Sequence, residues 1–202
     1  MAGKTPSKPP VTAPRKLPKQ QRAKFMVESI LQAAAHILEQ GNQPFTTNHI
    51  AELAGVSIGS LYQYFPGAEA IMAALIKSHV AQERASAEAT LASSGGHNTD
   101  VMRDLLIAFV EAHSYSPRLS ARLHAMAPGF GLQDELNTAR DAQALSIAKA
   151  LGMPEQETII AVMAVEGVVL AMLARDPAQL KDADFIDRLH AIALAALSFG
   201  AK

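Results

Sequence analysis

The chain contains no cysteine and no tryptophan. Their absence excludes a disulfide framework and any thiolate-bound metal centre, and it fits a reducing cytoplasm, where we expect the protein to work. Aromatic residues are scarce, and only three tyrosines occur: Tyr62, Tyr64 and Tyr115. Strand signals are nearly missing as well, because Val and Ile fall at helical spacing and Ala is abundant. The longest apolar run, TIIAVMAVEGVVLAMLA at 158–174, is a little short for a membrane span. It carries Glu166 at its centre, where a bilayer would penalise a charge by roughly 2.5–3.5 kcal/mol or more. A buried helix in a soluble protein is expected there, with no membrane partner. The opening segment MAGKTPSKPPVTAPRKLPKQ has charge but no apolar region of the signal-peptide kind. Lys and Arg are absent from residues 25 to 66, which hold Glu28, Glu39 and Glu52.

What is present is unevenly placed. The net charge of −1 conceals seven basic residues in the first 24: Lys4, Lys8, Arg15, Lys16, Lys19, Arg22 and Lys24. The remaining 178 residues hold eleven basic and nineteen acidic side chains, a balance of −8. A basic arm of this kind either meets a polyanion or serves as a solvated tail. Five prolines between Pro6 and Pro18 predict that residues 1–19 form an extended arm without a core of their own.

The rest predicts an all-α protein of about nine helices. Val27, Ile30, Leu31, Ala34, Ile37 and Leu38 match a helical period that stops at Gly41. Two short helices follow, then a long one from about 67 to 91. SSGGHN at 93–98 reads as a loop. Further helices are expected at about 99–114, 118–126, 132–151, 155–174 and 178–199. We place one domain at 20–80 and a second helical domain at 81–202.

The segment TTNHIAELAGVSIGSLYQYF, 46–65, concentrates hydroxyls and amides on an apolar repeat. Thr47 is the predicted N-cap of its first helix, and Ile50, Ala51, Leu53 and Ala54 form the apolar side. Gly55 suits a left-handed helix end, and Ser57 can cap the next helix. Only Gly55 to Ser57 separate the two, which forces the steep crossing of a helix-turn-helix. On the second helix Leu61 and Phe65 point inward, with Ile58 and Tyr62 flanking them. Gly59, Ser60, Gln63 and Tyr64 then face outward. Such a small, uncharged polar face can enter a major groove and read base edges, with Gln matched to adenine. Tyr hydroxyls and Ser57 can instead hold phosphates.

Residues 20–75, above all TTNHIAELAGVS and GSLYQYFPGAEAI, resemble the DNA-binding domain of the TetR family of bacterial transcription regulators. The resemblance implies a phosphate contact for Thr47 and a recognition-helix start at Ser57, Ile58, Gly59 and Ser60. It implies a backbone grip for Tyr62, and base or phosphate contacts for Gln63 and Tyr64. Ile58 and Ala68 depart from the family pattern, which often has a polar or basic residue at the first position and a Lys at the second. Both departures remove positive charge, so the arm, with Lys19 and Arg22, is the nearby source of phosphate neutralisation.

The family pattern further implies a helical domain that binds a small effector and dimerises. Met102, Leu106, Phe109, His113, Met126, Phe130 and Met163 are candidate cavity residues for a mainly apolar effector; the same residues also suit a plain core. The helices at about 155–174 and 178–199 are expected to pack against their mates in a homodimer. Two reading helices would then meet a pseudo-palindromic double-stranded operator, with half-sites about 34–36 Å apart or a multiple of that. The resulting expectation is a cytoplasmic, homodimeric, ligand-responsive transcription regulator, a repressor by family resemblance.

Two other readings compete with this one. A co-activator that does not read DNA would also tolerate Ala68 and an acidic helix-turn-helix. A helical enzyme lacks support: the seven His form no HExxH motif, and there is no GxSxG and no P-loop. His113 and His124 with Glu111 would meet around a metal only if the fold brought them together, and no cofactor or metal is assigned.

Overall fold

The computed structural model describes residues 21–93 and 101–198. Among them are nine α-helices and no strand. They run α1 (Gln21–Gln40), α2 (Thr47–Leu53), α3 (Ile58–Tyr64), α4 (Ala68–Ser93), α5 (Val101–Ser114), α6 (Pro117–Met126), α7 (Gln133–Leu151), α8 (Glu155–Arg175) and α9 (Phe185–Ser198). Short 3-10 turns occupy Ala127–Phe130 and Pro177–Lys181. The chain divides into two compact units, Met1–Ile76 and Lys77–Lys202.

In the first unit α2 and α3 have seven residues each. Helices that short do not hold together alone in water. They persist because Ile50, Leu61 and Phe65 are almost fully buried, as are Ile30, Ala34 and Ile37 of α1 and Ile71 of α4, and α2 packs against both α1 and α3. Each large side chain so buried contributes about 1.5–3 kcal/mol, more than the roughly 1 kcal/mol of a good cap. Burial therefore decides the fold of this unit, and capping sets where the helices begin.

The cap of α2 is Thr46, not the expected Thr47: the His49 backbone N–H donates to Thr46 Oγ1 at 3.3 Å. Its extended backbone (φ −126°, ψ 152°) turns the hydroxyl back over the first turn, while Thr47 already lies within the helix. Leu53, expected on the apolar side, is exposed, and Ile50 and Ala51 carry the burial instead. At the other end of α2 the Val56 N–H donates to the Ala51 carbonyl (3.0 Å) and the Gly55 N–H to that of Glu52 (3.1 Å). This bond pair is the Schellman motif, and it requires a left-handed residue, met by Gly55 at φ +66°.

In the second unit Leu106 and Val110 of α5 pack with Val165, Val169 and Leu173 of α8 and with Leu180, Phe185, Leu189 and Ala193. The last helix is shorter than the expected 178–199. Pro177 starts a 3-10 turn capped by Asp176, whose carboxylate accepts from the Ala178 N–H, and α9 proper begins at Phe185. α8 is long and apolar enough to cross a membrane by length and composition. Thr158, Ala161, Val165, Val169 and Leu173 form its buried face, whereas Ile160, Met163, Gly167 and Ala171 form an exposed stripe.

Gly55→Ala places its new methyl in open space, so its cost is that of the left-handed backbone alone. Chemical unfolding of the full chain is expected to show a loss of about 1–2 kcal/mol. An unchanged stability would contradict the turn geometry described.

Candidate nucleic-acid interface and helical-unit cavity

The surface of α3 follows from its cap and its core. Ser57 Oγ accepts from the Ser60 backbone N–H at 3.1 Å and lies 2.8 Å from Ser60 Oγ, which fixes the first turn. Leu61, Tyr64 and Phe65 point into the unit. The outward face is therefore Ile58, Gly59, Tyr62 and Gln63, with Ser60 half-buried. Tyr64, expected outside, is only 8% exposed, while Tyr62 is 41% exposed and Ile58 38%. The reason is spacing: positions 61, 64 and 65 stand at i, i+3 and i+4, and that triplet makes one stripe on a helix.

Two hydroxyls expected at this surface meet each other. Thr47 Oγ1 lies 3.1 Å from Tyr62 OH, linking the first turn of α2 to the exposed edge of α3. Nearby, His49 Nε2 contacts the Gln43 side-chain oxygen, and its Nδ1 stands 3.9 Å from Glu52. Gly59 leaves room beside it: a methyl there would meet only Ser57 Oγ, at 3.9 Å. Arg22 is exposed on α1, whereas Lys19 lies outside the described residues, as does the rest of the arm. The interface is thus small, uncharged and hydroxyl-bearing, a surface able to approach base edges closely without like-charge or desolvated-ion costs.

The second unit holds a cavity of about 120 Å³. Met102, Leu106 and Phe109 of α5, Ile147 of α7 and Val165 of α8 give it apolar walls, and Glu83, His124, Arg140 and Glu166 supply polar groups. Of the residues expected around a cavity, Met102, Leu106 and Phe109 line it together. The other four do not: His113 is fully buried behind Phe109, Met126 is exposed, Phe130 lies in the 3-10 turn, and Met163 is on the exposed stripe of α8. Helical periodicity marks such residues as apolar but does not say which of two faces each takes. Glu166 stands 3.6 Å from Arg140 at the cavity wall, so its charge is partnered.

Beside the cavity three imidazoles surround one carboxylate. Glu83 Oε1 lies 2.9 Å from His79 Nε2, 2.9 Å from His113 Nε2 and 3.5 Å from His124 Nε2. Burial opposes ionisation of Glu83, but the close polar contacts of His113, His124 and His79 outweigh it and hold the carboxyl far below its usual range. Burial likewise disfavours a charged His113, yet the Glu83 carboxylate, the Phe109 carbonyl and the more distant Glu166 together push its pKa up. The distances are those of hydrogen bonds, but Glu83 Oε1, His113 Nε2 and His124 Nε2 have no well-directed partner. These interactions are therefore chiefly electrostatic. Glu111, the expected companion of His113 and His124, is exposed and takes no part; His79 and Glu83 stand in its place. The signal for them was local, since His79 and Glu83 are four residues apart on α4 and share one face.

Residues 30–75 match the model of the bacterial regulatory proteins of the tetR family. No curated protein matches the chain. Among solved structures the fold is similar to a TetR-like transcriptional regulator from Rhodococcus sp. RHA1, with a TM-score of 0.60 at 18% identity over 91% of this chain and 100% of that one. It is similar to the fatty acid degradation regulator FadR from Bacillus halodurans, with a TM-score of 0.58 at 17% identity over 90% and 97%. A variant of TetR from Acinetobacter baumannii AYE, in complex with minocycline, follows with a TM-score of 0.51 at 22% identity over 92% and 96%.

Proposed function

We propose that the chain is a DNA-binding transcription regulator of the tetR type that acts in the cytoplasm as a homodimeric, ligand-responsive repressor and reads a pseudo-palindromic operator. The observation that carries the DNA-reading part is the outward face of α3: Ile58, Gly59, Tyr62 and Gln63, exposed and uncharged, on a helix set by the four-residue turn Ala54–Ser57. Gln63 offers a bidentate donor and acceptor to a base edge, and Gly59 lets the helix backbone come close. Ser57, Ser60 and the Thr47–Tyr62 hydroxyl pair serve the flanking phosphates. Tyr64 supports the helix from beneath rather than touching DNA.

Phosphate neutralisation falls to the arm. Neither α2 nor α3 carries a Lys or Arg, and the arm holds the basic residues, Lys19 and Arg22 among them. It runs along the backbone or into the minor groove beside the reading helix.

The dimer reading is supported by two exposed stripes. On α8 they are Ile160, Met163, Gly167 and Ala171; on α9, Ala191, Leu194 and Ala195. Their small and apolar side chains suit close helix packing against a second copy. The effector reading is supported by the cavity wall of Met102, Leu106 and Phe109, with Arg140 and Glu166 able to orient one polar group. A similar fold binds minocycline in the TetR variant named above. The effector acts by linkage: it binds the DNA-incompetent arrangement more tightly, and DNA binding weakens by the same factor.

Three measurements on duplex DNA flanking the protein's own gene test this. Tyr62→Phe removes one hydroxyl from each half-site, and its affinity should fall by about 1 kcal/mol per half-site, on the order of 30-fold for the dimer. Gly59→Ala should raise thermal stability, since a helical Gly costs roughly 0.5–1 kcal/mol against Ala, while lowering DNA affinity. If affinity stays constant, the close approach of α3 is refuted. Deleting residues 1–18 should flatten the slope of log affinity against log salt by about 0.9 for each phosphate that the arm neutralises. An unchanged slope dismisses the arm.

A further inference from the structure

The group of His79, Glu83, His113 and His124 has no part in reading DNA. Its four ligand-capable atoms lie within 4.8 Å of one another, contributed by α4, α5 and α6. The three imidazole rings are nearly equidistant, with centroids 5.4, 5.5 and 5.6 Å apart. All three Nε2 atoms converge on Glu83 Oε1.

The hydrogens are the difficulty. His113 Nδ1 is 2.8 Å from the Phe109 carbonyl oxygen, which can only accept, so Nδ1 carries the hydrogen. In the neutral ring Nε2 is then a bare lone pair. It faces a carboxylate oxygen, another acceptor, at 2.9 Å. A proton on His113 answers that one contact. It does nothing for the direction of His124 Nε2, which also lacks an aimed partner in a buried position. A cation among the four atoms satisfies all of them together.

We propose that His79, Glu83, His113 and His124 bind a divalent transition-metal ion, with one coordination position open to the neighbouring cavity. Three imidazoles and a carboxylate without thiolate suit Zn²⁺, Co²⁺, Ni²⁺ or Fe²⁺, and not Mg²⁺ or Ca²⁺, which take oxygen ligands. Ligands about 2.1 Å from a shared ion stand about 3.4 Å apart in a tetrahedron, so binding would open the 2.9 Å contacts of Glu83 with His79 and His113 by about 0.5 Å and draw the wider spacings, up to 4.8 Å, inward. His113 is already oriented for this by its Nδ1–H bond to a backbone carbonyl, the usual support of a metal-bound imidazole. The Ser120 hydroxyl, 3.0 Å from His79 Nε2, is a further polar neighbour. Glu83 and His124 also line the cavity, so the ion would face it and accept an oxygen donor from a small molecule held there.

The test needs no DNA, so its failure is distinct from failure of the operator reading. The full-length protein is stripped with a chelator and dialysed against Co²⁺, and bound metal is counted by elemental analysis. One ion per chain is expected, with a visible ligand-field band. In Glu83→Gln and in the partly exposed His124→Gln, each checked for unchanged helicity by circular dichroism, affinity should fall on the order of a hundredfold. Acetohydroxamate, a small oxygen donor, should then shift the band of the wild-type complex. Substoichiometric binding, or equal affinity in folded variants, overturns the site; a band that acetohydroxamate leaves untouched overturns the open position.

Discussion

The turn from Ala54 to Ser57 is the constraint on which the reading surface depends. A left-handed Gly55 closes α2, its neighbour Val56 returns a hydrogen bond to Ala51, and Ser57 immediately opens α3. So short a connection leaves α3 little freedom in crossing angle or rotation. Leu61, Tyr64 and Phe65 remove what is left by committing one face to the core. This rotation sets which side chains α3 turns outward. A shift of one residue would bury Tyr62 and expose Tyr64, and the Thr47–Tyr62 hydroxyl pair would not exist.

A reading helix without charge has consequences. It gains little from the long-range attraction that draws most DNA-binding proteins to phosphates. In the proposed function its contribution is discrimination at short range, through Gln63 and the bare backbone at Gly59, with attraction left to the basic arm and to a second copy of the chain. The division is visible in the charges: basic residues crowd before residue 25 and are missing from α2 and α3. In the second unit the polar groups follow another pattern. Charges there are gathered in pairs and clusters, Arg140 with Glu166 and Glu83 with three imidazoles, as low-dielectric surroundings require.

Much of the fold was legible in the sequence because it rests on local rules. Gly41 and Gly55 end helices, Pro and Gly punctuate the later ones, and a 3.6-residue apolar period marks α1. Two adjacent threonines defeated the cap assignment, since both are good caps and only the backbone at Thr46 decides between them. Tyr64 failed for a related reason: in a seven-residue helix the apolar stripe is defined by two or three side chains, and an amphipathic Tyr fits either side. The apolar circumference of α8 hid which face is exposed, because Ile160 and Val165 look alike in a periodicity. The histidine cluster was illegible as a whole, being assembled from three helices, although His79 and Glu83 at helical spacing were a partial sign.

The most direct test of the central claim is selection of bound duplexes from a random pool by the purified full-length protein at low ionic strength. The account predicts enrichment of one motif made of two inverted half-sites, their centres one helical turn or a multiple apart. Recovery of a pool as random as the input, or of a single half-site bound by one chain, would contradict it.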